Sequence, residues 1–251
     1  MCGIYGITAR KPELIQSYIT ACSHRGPDGS DIWHDDHVTL GHNLLSITSE
    51  PKVGRQPWHT DKGNVLVYNG EIFNYDHLIW LYRNSGWAPK TTCDTELLAF
   101  LLDTFYVDIV NSNSIDSMHA YAYYDKEQKT LTLSRDHAGI KPLYYAEIAE
   151  GLIFGSEIKG MIDHVPGARQ IDELASACMS YTGVNVTSNT MFKGIKKLMP
   201  GETLVYDVDK KIFKRNSRWV IQPQSDKNLD LEEFRHEAHE TVKMSTLGLR
   251  K

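Results

Sequence analysis

The chain has 251 residues, 41% hydrophobic and 24% charged, a globular composition that excludes an intrinsically disordered protein. A formal net charge of -5, with no long block of Lys or Arg, excludes the electrostatic footprint of a nucleic-acid or anionic-membrane binder, so a small soluble molecule or another protein is the expected partner. No apolar run approaches the roughly 18 residues that cross a bilayer, the N-terminus lacks the layout of a signal peptide, and the four cysteines lack CxxC spacing, which predicts a cytoplasmic protein with reduced thiols.

Residues 3–8 read as a buried strand, and Leu14, Ile15, Tyr18, Ile19 and Cys22 recur at helical spacing behind Pro12, which suits a first helical turn. A loop through His24-Arg25-Gly26-Pro27-Asp28-Gly29 leads to an alternating stretch over residues 37–47, with Val38, Leu40, His42 and Leu44 on one face. A second strand over residues 65–68 runs into Asn69-Gly70-Glu71. Asp76 is placed to cap a helix that carries Leu78, Ile79, Leu81 and Tyr82 and stops near Gly86, and Asp94 to cap a helix through Leu97, Leu98, Leu101 and Leu102. Residues 118–125, 130–135, 143–146 and 152–155 then read as a meander of strands, with Glu150-Gly151 at a turn, and 203–208 pairs with 212–215 across Asp209-Lys210. Two mainly antiparallel sheets flanked by helices is the simplest packing of these elements. From about Ile221 the chain turns polar, as a linker does, before a last helix whose Leu231, Phe234, Ala238 and Val242 form a stripe that must be laid on something.

The chemistry begins at position 2. Removal of Met1 leaves Cys2 with a thiol and a free α-amine, and the amine, with a reference pKa of about 7.7 to 8.0, can take the proton of a thiol near 8.5. Many chains begin Met-Cys by chance, so position 2 alone is a weak signal. Four blocks in order strengthen it: Met1-Cys2-Gly3-Ile4-Tyr5-Gly6, His24-Arg25-Gly26-Pro27-Asp28, Asn69-Gly70-Glu71-Ile72-Phe73-Asn74, and Arg135-Asp136-His137-Ala138-Gly139-Ile140-Lys141-Pro142-Leu143-Tyr144. Together they resemble the glutaminase domain of glutamine-dependent asparagine synthetase, a class II amidotransferase, and the resemblance covers roughly residues 2–208.

The resemblance implies an α+β fold, the four-layered αββα sandwich of N-terminal-nucleophile hydrolases. It implies that Cys2 attacks the side-chain amide of L-glutamine, that the Asn69 side chain and the Gly70 N–H hold the oxyanion, and that Asp94 receives the substrate's α-ammonium. Leu44, Leu45, Ser46, Ile47, Thr48 and Glu71 carry over as further substrate-binding positions. Each has a bland counterpart: Asn-Gly after a strand is also a hairpin turn, Asp94 also a helix cap, and Arg25 also part of a structural turn.

Two departures stand out. Leu44 occupies the place of a family arginine that clamps the α-carboxylate of glutamine, and losing one partner of a buried charge pair typically costs about 2 to 5 kcal/mol. Arg55 lies close in sequence. Residues 209–251 read as a linker and the start of a truncated synthetase domain, without the Ser-Gly-Gly-Leu-Asp-Ser loop that binds ATP pyrophosphate in the family. The expected partner is therefore a separate ATP-dependent synthetase subunit docking on the last helix, and the alternative is an impaired pseudo-amidotransferase with a binding or regulatory role. No cofactor is expected on this chain, and no metal: His236, His239 and Glu240 match neither HExxH nor HxxEH.

Overall fold

The computed structural model describes residues 1–46, 52–84, 86–106, 114–219 and 230–248. Strand β1 (Gly3–Ile7) is buried along its whole length. Its two faces meet different apolar layers, which is why it reads as an unbroken hydrophobic run and not as an alternation. Ile4 shares a core with Leu40, Val67 and Phe154, whereas Tyr5 and Ile7 pack against Ile15, Tyr18 and Ile19 of helix α1 (Pro12–Ala21), which starts on Pro12.

In the first sheet, β1 is joined by β2 (Gly29–His34), β3 (Thr39–Leu44), β8 (Tyr144–Ile148), β9 (Gly151–Gly155) and β10 (Lys196–Lys197), in the order β10-β8-β9-β1-β3-β2. The second contains β4 (Trp58–His59), β5 (Val65–Ile72), β6 (Ser117–Asp125), β7 (Thr130–Arg135), β11 (Glu202–Asp207) and β12 (Ile212–Arg218), in the order β12-β11-β7-β6-β5-β4. Every pairing is antiparallel. Helices α2 (Tyr75–Arg83) and α3 (Asp94–Phe105) cover the outer face of the second sheet, where Leu78, Leu97 and Leu101 pack on Leu66, Tyr68 and Tyr121. With α1 outside the first sheet and one core between the sheets, the layers run αββα, the architecture the sequence implied.

Several local expectations are corrected. The expected meander is split: β6 and β7 pair in the second sheet, whereas β8 and β9 pair in the first, because the segment from Arg135 to Leu143 carries the chain across the sandwich. Strand β2 was not anticipated; it is a mostly exposed edge strand and so carries no apolar alternation. Asp94 and Asp76 are not caps: Cys93 and Asn74 hold those positions without a side-chain capping bond, and both aspartates lie inside the first turn. Helix α4 (Glu173–Thr182) was not anticipated, although Asp172 caps it by accepting the Ala175 N–H at 2.9 Å and Gly183 ends it at φ 74. Ala175 is its only buried residue, so it has no apolar stripe to read.

Helix α5 (Leu231–Gly248) keeps its stripe uncovered among the described residues, with Leu231, Phe234 and Val242 exposed by 69%, 52% and 66%. Residues 209–219, expected to begin the linker, instead carry β12 of the second sheet, and the polar stretch after them, 220–229, lies outside the described residues. Among the described residues no helix is long and apolar enough to cross a membrane.

Candidate active site

Side-chain parity brings two strands' chemistry face to face. On β1, Ile4 points between the sheets, and Cys2, two residues earlier, continues that face. On β5, Val65 and Val67 point into the same inter-sheet core, so Asn69 points there too, while Leu66, Tyr68 and Ile72 face the α2–α3 layer. The result is a cavity lined by Cys2, Leu44, Leu45, Ser46, Asn69, Gly70, Glu71 and Asp94, together with Met1, Gln56, Tyr68 and Lys141. Ile47 and Thr48 lie outside the described residues.

The Cys2 thiol sits against the backbone of Leu45, donating to its carbonyl at 3.5 Å and accepting from its N–H at 3.4 Å. Burial pushes the thiol pKa up, while the Leu45 N–H, then the N-terminal ammonium and then the Lys141 charge pull it down. The His24–Asp28 block holds this corner in three ways. Arg25, 9% exposed, donates Nε to the Cys2 carbonyl at 3.0 Å and Nη1 to Glu157 at 3.3 Å. Gly26 lies so close to the Asn43 and Leu44 backbone that a side chain there would collide with it. Asp28 accepts the Ser46 N–H at 2.8 Å. The block therefore does act as a structural clamp, and what it clamps is the nucleophile and the segment beside it.

Asn69-Gly70 is neither a hairpin turn nor a strand end. Strand β5 runs through it, with Asn69 opposite Ala120 and Gly70 opposite His119. His119 turns its backbone to Asp136, whose N–H it meets at 2.8 Å. Antiparallel alternation therefore directs the Gly70 N–H away from β6, out of the same edge as those of Tyr68 and Ile72. On that edge the Tyr68 N–H is taken by the Gln56 side chain at 2.6 Å and the Ile72 N–H by Asp94 Oδ2 at 3.2 Å. Between them, the Gly70 N–H has no partner among the described residues. The Asn69 side-chain nitrogen is likewise buried and without a partner among them. A side chain at 70 would collide with the Met118 carbonyl and the Tyr68 ring, so only glycine fits.

Asp94 is positioned by the same edge: its Oδ2 accepts from Ile72 N–H and from the Tyr68 hydroxyl, each at 3.2 Å. Burial, then the Asp94 charge, raises the Tyr68 phenol well above its ordinary pKa, so it stays a donor. Leu44, 7% exposed, ends β3 and separates this cavity from a second one lined by Asp28, His42, Lys52 and Arg55, with Gln56 shared between the two. Burial drops His42 to a pKa of about 3, so it is neutral there. Gln56, Tyr68 and Lys141 were not foreseen as site residues, because their roles depend on pairings made far away in sequence.

A family model described as glutamine amidotransferase domain matches residues 1–219. The chain belongs to this family. It is similar to asparagine synthetase [glutamine-hydrolyzing] 3 of Bacillus subtilis, 33% identical over 83% of this chain and 35% of the relative. Asparagine synthetase B of Escherichia coli is 33% identical over 69% of this chain and 31% of the relative, and a putative asparagine synthetase of Methanocaldococcus jannaschii is 28% identical over 97% and 52%. The chain thus spans about half the length of these relatives or less. Among solved structures, glutamine PRPP amidotransferase of B. subtilis aligns with a TM-score of 0.62 at 17% identity, over 88% of this chain and 50% of that one, which shows the fold. Residues 1–219 thus form a class II glutamine amidotransferase domain with the N-terminal-nucleophile hydrolase fold.

Proposed function

We propose that this amidotransferase hydrolyses glutamine to glutamate and ammonia through a thioester on Cys2. With Met1 excised, the Cys2 α-amine takes the thiol proton, and Sγ forms a bond to the side-chain amide carbon of glutamine. The amide oxygen becomes an oxyanion held by Asn69 Nδ2 and the Gly70 N–H. Collapse breaks the C–N bond, the α-amine passes its proton to the departing nitrogen, and ammonia leaves. Water then attacks the thioester, releasing glutamate and restoring the thiol. Asp94 receives the substrate's α-ammonium, and Glu71, Leu44, Leu45 and Ser46 enclose its carbon chain. No cofactor enters these steps.

The observation that supports this reading most is a buried Asn69 Nδ2 without a partner among the described residues and, next to it, a Gly70 N–H that strand parity directs out of the sheet edge, in one cavity with a thiol. Buried donors are almost always paired, so the open Asn69 Nδ2, with the Gly70 N–H beside it, supports an acceptor that arrives with the substrate. The direct test is intact mass to establish Met1 removal, followed by glutamate release from glutamine beside Cys2→Ala. The variant is expected to be inactive; equal rates would sink the proposal.

We further propose that the ammonia passes to aspartate activated by ATP on a separate synthetase polypeptide, that the amidotransferase unit ends with β12, and that the remainder serves this partner in the cytoplasm. The uncovered stripe of α5 supports the docking. Capture of a synthetase chain by the intact protein, lost on removing residues 230–251, tests it. A second reading, an impaired regulatory subunit, rests on Leu44, which presents no charge to the substrate carboxylate.

A further inference from the structure

The loop after β7 is pinned by two adjacent side chains. Arg135 donates Nε to the Lys141 carbonyl at 2.8 Å, Nη2 to the Gly139 carbonyl at 2.6 Å and Nη1 to the Leu198 carbonyl at 2.6 Å. The Asp136 carboxylate accepts the N–H of Ile140 at 2.8 Å and of Lys141 at 3.0 Å. The peptide groups on both sides of Lys141 are thereby fixed. Its side chain then lies in the wall of the Cys2 cavity, and the residue is only 7% exposed. No hydrogen bond or ion pair of its ammonium occurs among the described residues.

A buried ammonium without a carboxylate is unfavourable for folding, because the charge has left water without a replacement partner. Besides the N-terminal ammonium next to Cys2, the neighbouring charged groups have partners of their own, although Arg25 keeps one buried Nη2 without one. Arg25 is held by Glu157 and the Cys2 carbonyl, Asp94 by Tyr68 and Ile72, and Asp136 by the loop backbone. Glu71 lines the same cavity but forms no ion pair with Lys141. Burial lowers the Lys141 pKa, and of the charges that bear on it Cys2 acts most strongly, ahead of Arg25, Asp136 and Glu71. Lys141 and Cys2 line one cavity, where the thiol is the group a thiolate would form on.

We propose that Lys141 is the counter-charge of the Cys2 thiolate: its ammonium, fixed in the cavity wall without a carboxylate of its own, holds the nucleophile in its charged form. The thiol proton still goes to the Cys2 α-amine, and Lys141 keeps its protons throughout, so it is a positioning residue acting through Cys2. This rests on Cys2 being the nucleophile.

The test is the rate of Cys2 alkylation by iodoacetamide against pH, followed by peptide mass, in the full chain and in Lys141→Met and Lys141→Arg. Removing a positive charge raises a thiol pKa. The alkylation midpoint is therefore expected to move up by about one pH unit in Lys141→Met, the lower end of the effect of a close opposite charge, and to stay in place in Lys141→Arg. At neutral pH glutaminase kcat falls about tenfold in the Met variant with KM unchanged. An unmoved midpoint in Lys141→Met overturns the proposal, and so does a raised KM with an unmoved pH profile, which would put Lys141 on the substrate instead. Lys141→Gln, read the same way, replaces the Met variant if circular dichroism shows that Met to be unfolded. Cys2→Ala run in parallel separates the two levels: undiminished glutamine hydrolysis there would remove the proposed function itself.

Discussion

The two ends of the Cys2 cavity are furnished by different means. At the reacting end the groups come from backbone and strand parity: the thiol on the inner face of β1, the Asn69 amide on the inner face of β5, and the Gly70 N–H on an edge that β4 and β6 leave open. At the end that would hold the amino-acid head, the groups are single side chains, Asp94 braced by Tyr68 and Leu44 with nothing charged to offer. The difference has a physical reason. A donor that is part of a sheet edge cannot be lost without repairing the sheet, whereas Leu44 extends the apolar face of Val38 and Leu40, so the fold accepts it there readily. The Gly70 N–H, being backbone, survives any side-chain substitution that keeps the strand, whereas the charge at position 44 does not.

That contrast can be broken from either end. Asn69→Ala is expected to lower kcat by about 10² to 10³ with little change in KM, since its donor acts when the oxyanion forms. A loss confined to KM would move Asn69 to the binding end. Asp94→Asn should do the reverse, raising the glutamine KM by about 30-fold or more with a smaller effect on kcat, because an uncompensated α-ammonium costs about 2 kcal/mol at the least. Leu44→Arg is expected to lower KM by about tenfold, roughly 1.4 kcal/mol of regained contact with the carboxylate. An unchanged KM would mean that another cation already holds that group, and Arg55, in the adjoining cavity, is the one to delete next. The smallest effect belongs to α5: removing residues 230–251 should alter the thermal unfolding free energy by less than about 0.5 kcal/mol, because its apolar residues are exposed. A larger loss would show that the helix packs on the sandwich.

Much of the layer structure could be read locally. The run at β1, the helical spacing behind Pro12 and the leucines of α3 four residues apart each state which face must be buried. Elements whose signal is not apolar were missed for the same reason: β2 is an exposed edge and α4 buries only Ala175. The candidate site was partly readable, since Cys2, Asn69, Gly70 and Glu71 sit in recognisable blocks and, with Asp94, line one cavity. Lys141 sits in such a block too, but nothing local says that its charge goes unpaired.

The amino-acid sequence by itself determined the chemical inventory and the family: a cysteine able to become N-terminal, the Asn-Gly pair, and the apolar periodicities that demand two sheets and flanking helices. Tertiary structure alone decided how the inventory is used. Asn69-Gly70 is compatible locally with a turn, and only pairing with β6 keeps it in a strand with one N–H directed outward. Asp94 is compatible with a cap, and only the nearby edge of β5 turns its carboxylate to Tyr68 and Ile72. Backbone hydrogen bonding in a sheet is a long-range choice, settled by whichever strand arrives alongside, and it is this choice that left two donors open beside the thiol.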